Sequence, residues 1–352
     1  MGTLLLFTLL ALAQDPDPPG AELEVLAKHR AYLERNPFHA TGFDRLVHEA
    51  VERDLLARLE EDYAGRVAER PEELESRVVL ARLQARARRP REALATLAPL
   101  RVDELESEGA GAPLLALRGE LQLGLGEFAQ AVASLEAAAA AADDRLLLEE
   151  IHALCGRAWM RAGRPAAAAV ALGRLAELDP ESYALRLEAA ALMAGHGLVD
   201  AAVVQLESAV ELAAGDVSRR CRALVEIGRL NEDRGRAAEA ARAYAAASEW
   251  MGPGHWQRAE LFERRLELHR GLGTVGELVA AAREEVAALP GDLEAQRFLA
   301  RALEEDGRAA EARACSRRPA PASPPRSPSD ASWSSSWSRK GRASARSRSS
   351  SA

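Results

Sequence analysis

The stretch CGRAWMRAGRPAAAAVALGRLAELDP, residues 155–180, decides how the whole chain is read. Gly163 stands between two runs whose apolar residues recur at helical spacing. Gly156 lies seven residues before it and Ala168 five after it, while Leu172, nine after it, falls on the apolar stripe of the second run. A glycine between two helices permits a tight turn, and small residues at those two offsets let the helix backbones approach closely. Asp179-Pro180 then stops the second helix, because proline cannot continue one.

The same frame recurs along the chain. Upstream, LRGELQLGLGEFAQAVASLEAA carries Gly119, Gly126, Ala131 and Leu135. Downstream, Ala190, Gly197, Ala202 and Leu206 repeat it, as do Gly228, Gly235, Ala240 and Tyr244, then Ala300, Gly307 and Ala312. Gly273 marks a further turn, with Leu289-Pro290 closing its second helix. Ala81, Arg88 and Ala93 keep the frame without a turn glycine, and Asp54 marks a weaker unit ending at Pro71. The turns at 54, 88, 126, 163, 197, 235, 273 and 307 are spaced by 34, 38, 37, 34, 38, 38 and 34 residues. A period of 34 with additions of three or four predicts helix pairs whose second helix sometimes gains one extra turn.

With that spacing and those residues, residues 40–315 resemble the tetratricopeptide repeat family. The aromatic residue this family carries near the start of its first helix is replaced here by Leu115, His152 and Leu224. The resemblance implies an all-α fold, a right-handed α-solenoid of antiparallel helix pairs. A generic alanine-rich solenoid or bundle with drifting pair lengths is the alternative. Composition supports a helical chain under either reading. Of 352 residues 75 are alanine, the best helix former, and only 15 are aromatic.

The resemblance also implies that the position six residues before each turn lines the inner groove. Arg82, Glu120, Arg157, Ala191, Arg229, Glu267 and Arg301 occupy it. With Arg161 and Arg297 one helical turn away, the candidate peptide-binding residues are Arg82, Arg157, Arg161, Arg229, Arg297 and Arg301. Guanidinium groups grip carboxylates through two parallel hydrogen bonds, so an acidic or C-terminal peptide is the matching partner. The competing reading is a solvated arginine face balanced by Glu232, Glu263 and Glu304. The family's carboxylate clamp for chaperone tails uses lysine and asparagine on this face. It is absent, since residues 1–315 hold only Lys28, Asn36 and Asn231.

Both ends of the chain differ from this body. MGTLLLFTLLALA, residues 1–13, has an apolar run and a small-x-small ending, and reads as a signal peptide cut before Gln14. It lacks the usual early basic residue, and an uncleaved N-terminal anchor is the competing reading. The run is too short for an integral membrane span. Residues 14–39 form a Pro-rich linker and an N-terminal helix. Residues 316–352 hold 14 serines, against seven in the preceding 315 residues, and a net charge of +7. They are either a disordered basic Ser/Arg-rich tail or the product of a reading-frame shift. The second reading is compatible with WSSSWSRKG (residues 333–341) becoming a helix-like VELVVEEG two bases along.

Removing that +7 from the chain's −8 leaves the other 315 residues at −15, a poor match for nucleic acid. Cys155, Cys221 and Cys315 are too dispersed for a disulfide framework or a zinc site. GLGTVG at 271–276 fits a dinucleotide-binding fingerprint but follows a helical rather than a strand pattern, so no cofactor is expected. His48-Glu49 lacks a zincin's second histidine, with Glu52 in its place, and Glu149 with His152 lacks the second copy a di-iron site needs. These readings lead to a non-enzymatic scaffold of the bacterial cell envelope that binds a protein or peptide partner. The alternative is a spacer or regulatory region of a longer enzyme or envelope-assembly protein.

Overall fold

The structure is a computed structural model that describes residues 26–105 and 109–316. The expected signal peptide, the linker up to residue 25 and the tail from residue 317 lie outside the described residues. Those described residues form eighteen helices and no strand. They divide into two compact units, one ending at Leu212 and the other beginning at Ala213.

Unit 1 opens with α1 (Ala27–Leu33). Helix pairs follow: α2 (Ala40–Glu52) with α3 (Leu56–Glu69), α4 (Leu74–Arg86) with α5 (Pro90–Leu97), and, after the short α6 (Val102–Leu105), α7 (Gly111–Leu125) with α8 (Phe128–Ala141). α9 (Arg145–Arg161) with α10 (Pro165–Glu177) and α11 (Tyr183–Gly195) with α12 (Val199–Leu212) complete it. Unit 2 holds α13 (Val217–Asp233) with α14 (Ala237–Trp250), α15 (Arg258–Leu272) with α16 (Val275–Ala288), and α17 (Leu293–Glu305) with α18 (Ala309–Ser316). Within each unit consecutive helices pack on one another, as expected of a repeat array.

All eight turn positions read from the sequence have left-handed backbone: Asp54 at φ 56°, Arg88 at 59°, and Gly126, Gly163, Gly197, Gly235, Gly273 and Gly307 between 69° and 80°. An L side chain resists that conformation and glycine does not. The buried offsets agree as well. Five residues after the turns, Leu59, Ala93, Ala131, Ala168, Ala202, Ala240, Leu278 and Ala312 are all buried. Seven before, a Cβ added to Gly119 would stand 2.6 Å from Leu135 Cγ, and one on Gly156 would stand 2.5 Å from Leu172 Cγ. One on Gly228 would overlap the Tyr244 ring. Those glycines therefore create the space that the large residue nine after the turn fills.

In the pairs that turn at Gly163 and Gly235, however, the extra turn is in the first helix rather than the second. α9 and α13 run 17 residues where α4, α11 and α17 run 13, while the second helices α8, α10, α12, α14 and α16 stay at 13 or 14. The second helix must keep its packing offsets from the turn. The first can grow at its far end, where a new cap closes it. Asp144 accepts from the Leu147 amide at 2.8 Å and Asp216 from the Arg219 amide at 3.0 Å, satisfying donors that a helix start leaves open.

Candidate functional site

The position six before each turn faces solvent at Glu120, Arg157, Ala191, Arg229, Glu267 and Arg301, as a binding face requires. Arg82 differs. Its guanidinium donates to the carbonyls of Pro37 (3.1 Å) and His39 (3.4 Å) and lies 4.1 Å from the centre of the Phe43 ring. Burial holds its pKa below the ordinary arginine value, against the pull of Asp44, Glu120 and Glu150. Its Nη1 ties the chain before α2 to α4, which leaves it less available to a ligand carboxylate than an exposed arginine.

The surroundings of Arg82 are also more acidic than the arginine pattern suggests. A cleft of about 500 Å³ beside it is lined by Phe43, Asp44, Leu117 and Glu120, among others. Glu150 lines the adjoining hollow, and burial, then Glu120, raises its carboxyl pKa. In unit 1 the groups most open to a ligand carboxylate are Arg157 and Arg161. Both are exposed, and neither has a carboxylate partner among the described residues. Arg161 rests 5.9 Å from the Phe128 ring centre.

In unit 2 two of the three candidates are already paired. Arg229 bonds Glu226 at 2.8 Å and Arg301 bonds Glu263 at 3.1 Å, both on exposed surface where such pairs contribute little. Hydrogen bonding to Glu226 and its charge raise the Arg229 pKa. Arg297 is exposed and has no ion partner among the described residues. Glu263 is thus one of the balancing carboxylates expected from the sequence, whereas Glu232 serves elsewhere, accepting from the Tyr244 hydroxyl at 2.7 Å and from Arg264 at 3.1 Å. Burial first, and that carboxylate second, raise the Tyr244 pKa.

The residues singled out for catalysis have structural places. Gly273 is the left-handed cap of α15, so GLGTVG joins two helices. Glu149 pairs with Arg145 at 2.8 Å, and His152 is buried with its Nδ1 unbonded. Burial pushes the Cys155 thiol up to about 12, which keeps it protonated and unreactive at neutral pH. Among the described residues no three His, Cys, Asp or Glu side chains gather as a metal site, and no helix is long and apolar enough to cross a membrane.

A structural device absent from the sequence reading lies eleven residues before the turn. There Arg77, Arg186 and Gln296 each donate to the carbonyl of a proline six residues earlier, Pro71, Pro180 and Pro290, the last at 2.6 Å. Arg77 also reaches the Thr96 carbonyl at 2.7 Å and Arg186 the Gln205 amide oxygen at 3.0 Å, both eight residues after their turns. Arg77 and Arg186 thus pin the linker to both helices of the following pair and Gln296 pins it to the first, where His152 and Leu224 make no such bond. The P-x₅-R/Q spacing was the available signal.

The fold therefore defines a class: an all-α repeat protein of antiparallel helix pairs with left-handed turns. No protein-family model matches the chain, and no curated protein matches it. Among solved structures it is similar to YrrB, described as a TPR protein with an unusual peptide-binding site, at 18% identity and a TM-score of 0.34 over 55% of this chain and 93% of that one. A tetratricopeptide repeat protein from Parabacteroides merdae matches at 15% identity and a TM-score of 0.36, over 78% and 99%. PilF of Pseudomonas aeruginosa matches at 15% and 0.37, over 67% and 97%. The tetratricopeptide-like reading of the fold stands on this chain's own turns and offsets.

Proposed function

We propose that the chain is a non-enzymatic scaffold of the bacterial cell envelope that holds an acidic peptide or protein segment on the exposed first-helix face. The observation that supports this most is the availability of Arg157 and Arg161. They lie one turn apart on α9, exposed, with no carboxylate partner among the described residues. Two guanidiniums on one face are chemically matched to a pair of carboxylates. Arg297 offers the same chemistry in unit 2, with Arg229 and Arg301 available only by giving up Glu226 and Glu263. Location in the envelope rests on the apolar run and small-residue ending of residues 1–13.

Calorimetry with a capped peptide carrying two adjacent glutamates tests the binding. The double variant Arg157→Ala, Arg161→Ala is expected to weaken it by about tenfold and to flatten its salt dependence, since exposed charge contacts are screened by ions. Unchanged affinity returns these arginines to a solvated face.

A further inference from the structure

Unit 2 contains a cavity of about 440 Å³ where the end of α14 and the start of α15 meet α16 and the segments before α13 and α15. Trp250, Met251, Pro253 and Leu289 give it an apolar wall, in which Met251 is buried and Trp250 half-buried. The connection MGPGHWQ, residues 251–257, shapes it. Gly254 there turns at φ 82° and its amide donates to Glu294 at 3.2 Å, fixing the connection to the start of α17. A cavity of this size takes one large side chain, and an apolar wall is covered most favourably by an apolar group.

Charged side chains line the cavity too, and their charges cancel. The guanidiniums of Arg220 and Arg258 stand against the carboxylates of Glu249 and Glu285. Arg258 is buried in an ion pair with Asp292, whose other oxygen caps α17 through the Glu294 and Ala295 amides, and Glu285 bonds Arg265 at 2.8 Å. Arg220 lies 4.2 Å from the centre of the Trp250 ring and keeps its positive charge there. The Nε atoms of Arg258 and Arg265 are buried without an acceptor. Against this positive charge stands Glu249, which is exposed and has no ion partner among the described residues. A side chain of either sign that enters therefore gives up its water without meeting a surplus of opposite charge, a cost that a neutral apolar side chain does not carry.

We propose that this cavity holds a large neutral apolar side chain, phenylalanine or leucine, carried by a peptide segment of a partner protein. The side chain lies along Trp250, Met251, Pro253 and Leu289, and the main-chain N–H of the segment donates to the exposed Glu249 carboxylate. That hydrogen bond is available to a peptide and not to a free hydrocarbon, and a neutral N–H serves it without adding charge. The site is separate from the arginine face and stands or falls without it.

The test is a titration of the isotopically labelled full-length chain, followed by nuclear magnetic resonance, with a capped pentapeptide bearing phenylalanine at its centre between serines. Matched peptides carry serine, lysine or glutamate at that position. The phenylalanine peptide is expected to shift the indole N–H resonance of Trp250 and to bind about tenfold more tightly than the serine peptide. It is also expected to bind about fivefold more tightly than the lysine and glutamate peptides and to keep its affinity at high salt, unlike a peptide held by exposed arginines. Ala288→Trp, at an exposed position on the cavity wall, is expected to fill the cavity and abolish the advantage of phenylalanine over serine without disturbing the core. Because the peptides are compared on the same protein, the result survives any loss of stability in the variant. Equal affinity of the phenylalanine and serine peptides, tighter binding of either charged peptide, no shift at Trp250 at millimolar phenylalanine peptide, or an advantage retained in Ala288→Trp overturns the proposal. Ethylbenzene binding as tightly as the phenylalanine peptide overturns it too, in favour of a free apolar molecule.

Discussion

Two helix pairs of unit 1, α4–α5 and α9–α10, build the same hairpin from different residues. Both second helices start with proline, Pro90 and Pro165, and both bury an alanine five after the turn and a leucine nine after it: Ala93 and Leu97, Ala168 and Leu172. Yet one turn is Arg88 at φ 59° and the other Gly163 at φ 70°, and the close approach is made at Ala81 in one and Gly156 in the other. The hairpin thus depends on backbone conformation and on which offsets are buried. Glycine lowers the cost of a conformation that the pair adopts anyway.

The strongest way to break the equivalence is to give α9–α10 the side chain that α4–α5 tolerates. Ala81 is fully buried in its pair, whereas the place of a Cβ on Gly156 is taken by Leu172. Gly156→Ala is expected to destabilise the protein by roughly 1–3 kcal/mol, since overpacking a filled core forces side chains and backbone aside. Adding Leu172→Ala should recover part of that loss, because the two sites share one space. Chemical denaturation of the single and double variants measures both, and additive losses would show that Gly156 is not a packing glycine.

The turns give smaller effects of opposite sign. Gly163→Ala forces an alanine into left-handed backbone and should cost about 1 kcal/mol, the steric penalty less the gain from a stiffer unfolded chain. Arg88→Gly removes the same penalty from α4–α5 and should stabilise by about half as much, with unfolded-state entropy offsetting the rest. Thermal melts should therefore move in opposite directions. If both variants lower the melting temperature, Arg88 makes contacts beyond its backbone role.

Most of this frame was legible in the sequence because it is periodic. Turn glycines, small residues seven before and large ones nine after repeat at a spacing that chance does not supply, and even Arg88 and Asp54 could be placed by register alone. Features with no period were hidden. A spacing of 37 or 38 shows that residues were added between turns and not to which helix, so the growth of α9 and α13 at their first turns needed coordinates. The arginine stripe was legible as residue types. Its use was not, because Arg82 donates to the Pro37 and His39 carbonyls, which lie 45 and 43 residues earlier. The pairing of Arg258 with Asp292 is hidden for the same reason, bringing together residues 34 apart.

The smallest effect at neutral pH concerns the position eleven before the turn, where Arg77 stands in α4 and His152 in α9. Two carbonyls accept from the Arg77 guanidinium. His152 is buried with Nδ1 unbonded, and its pKa is lowered by burial first and the charge of Arg174 second, with Glu177 opposing. Its imidazole is therefore neutral in the folded state at pH 7 and carries no pH-dependent loss there. As pH falls below the unfolded value of about 6.5, the unfolded chain binds a proton that the folded chain refuses, so stability declines until the lowered folded pKa is reached. His152→Gln should remove that part of the decline between pH 6.5 and 5 while leaving stability at pH 8 almost unchanged apart from packing. Denaturant midpoints at the two ends of that range decide it. If wild type and variant lose stability in parallel, the acid sensitivity of α9–α10 comes from its carboxylates and not from the buried imidazole.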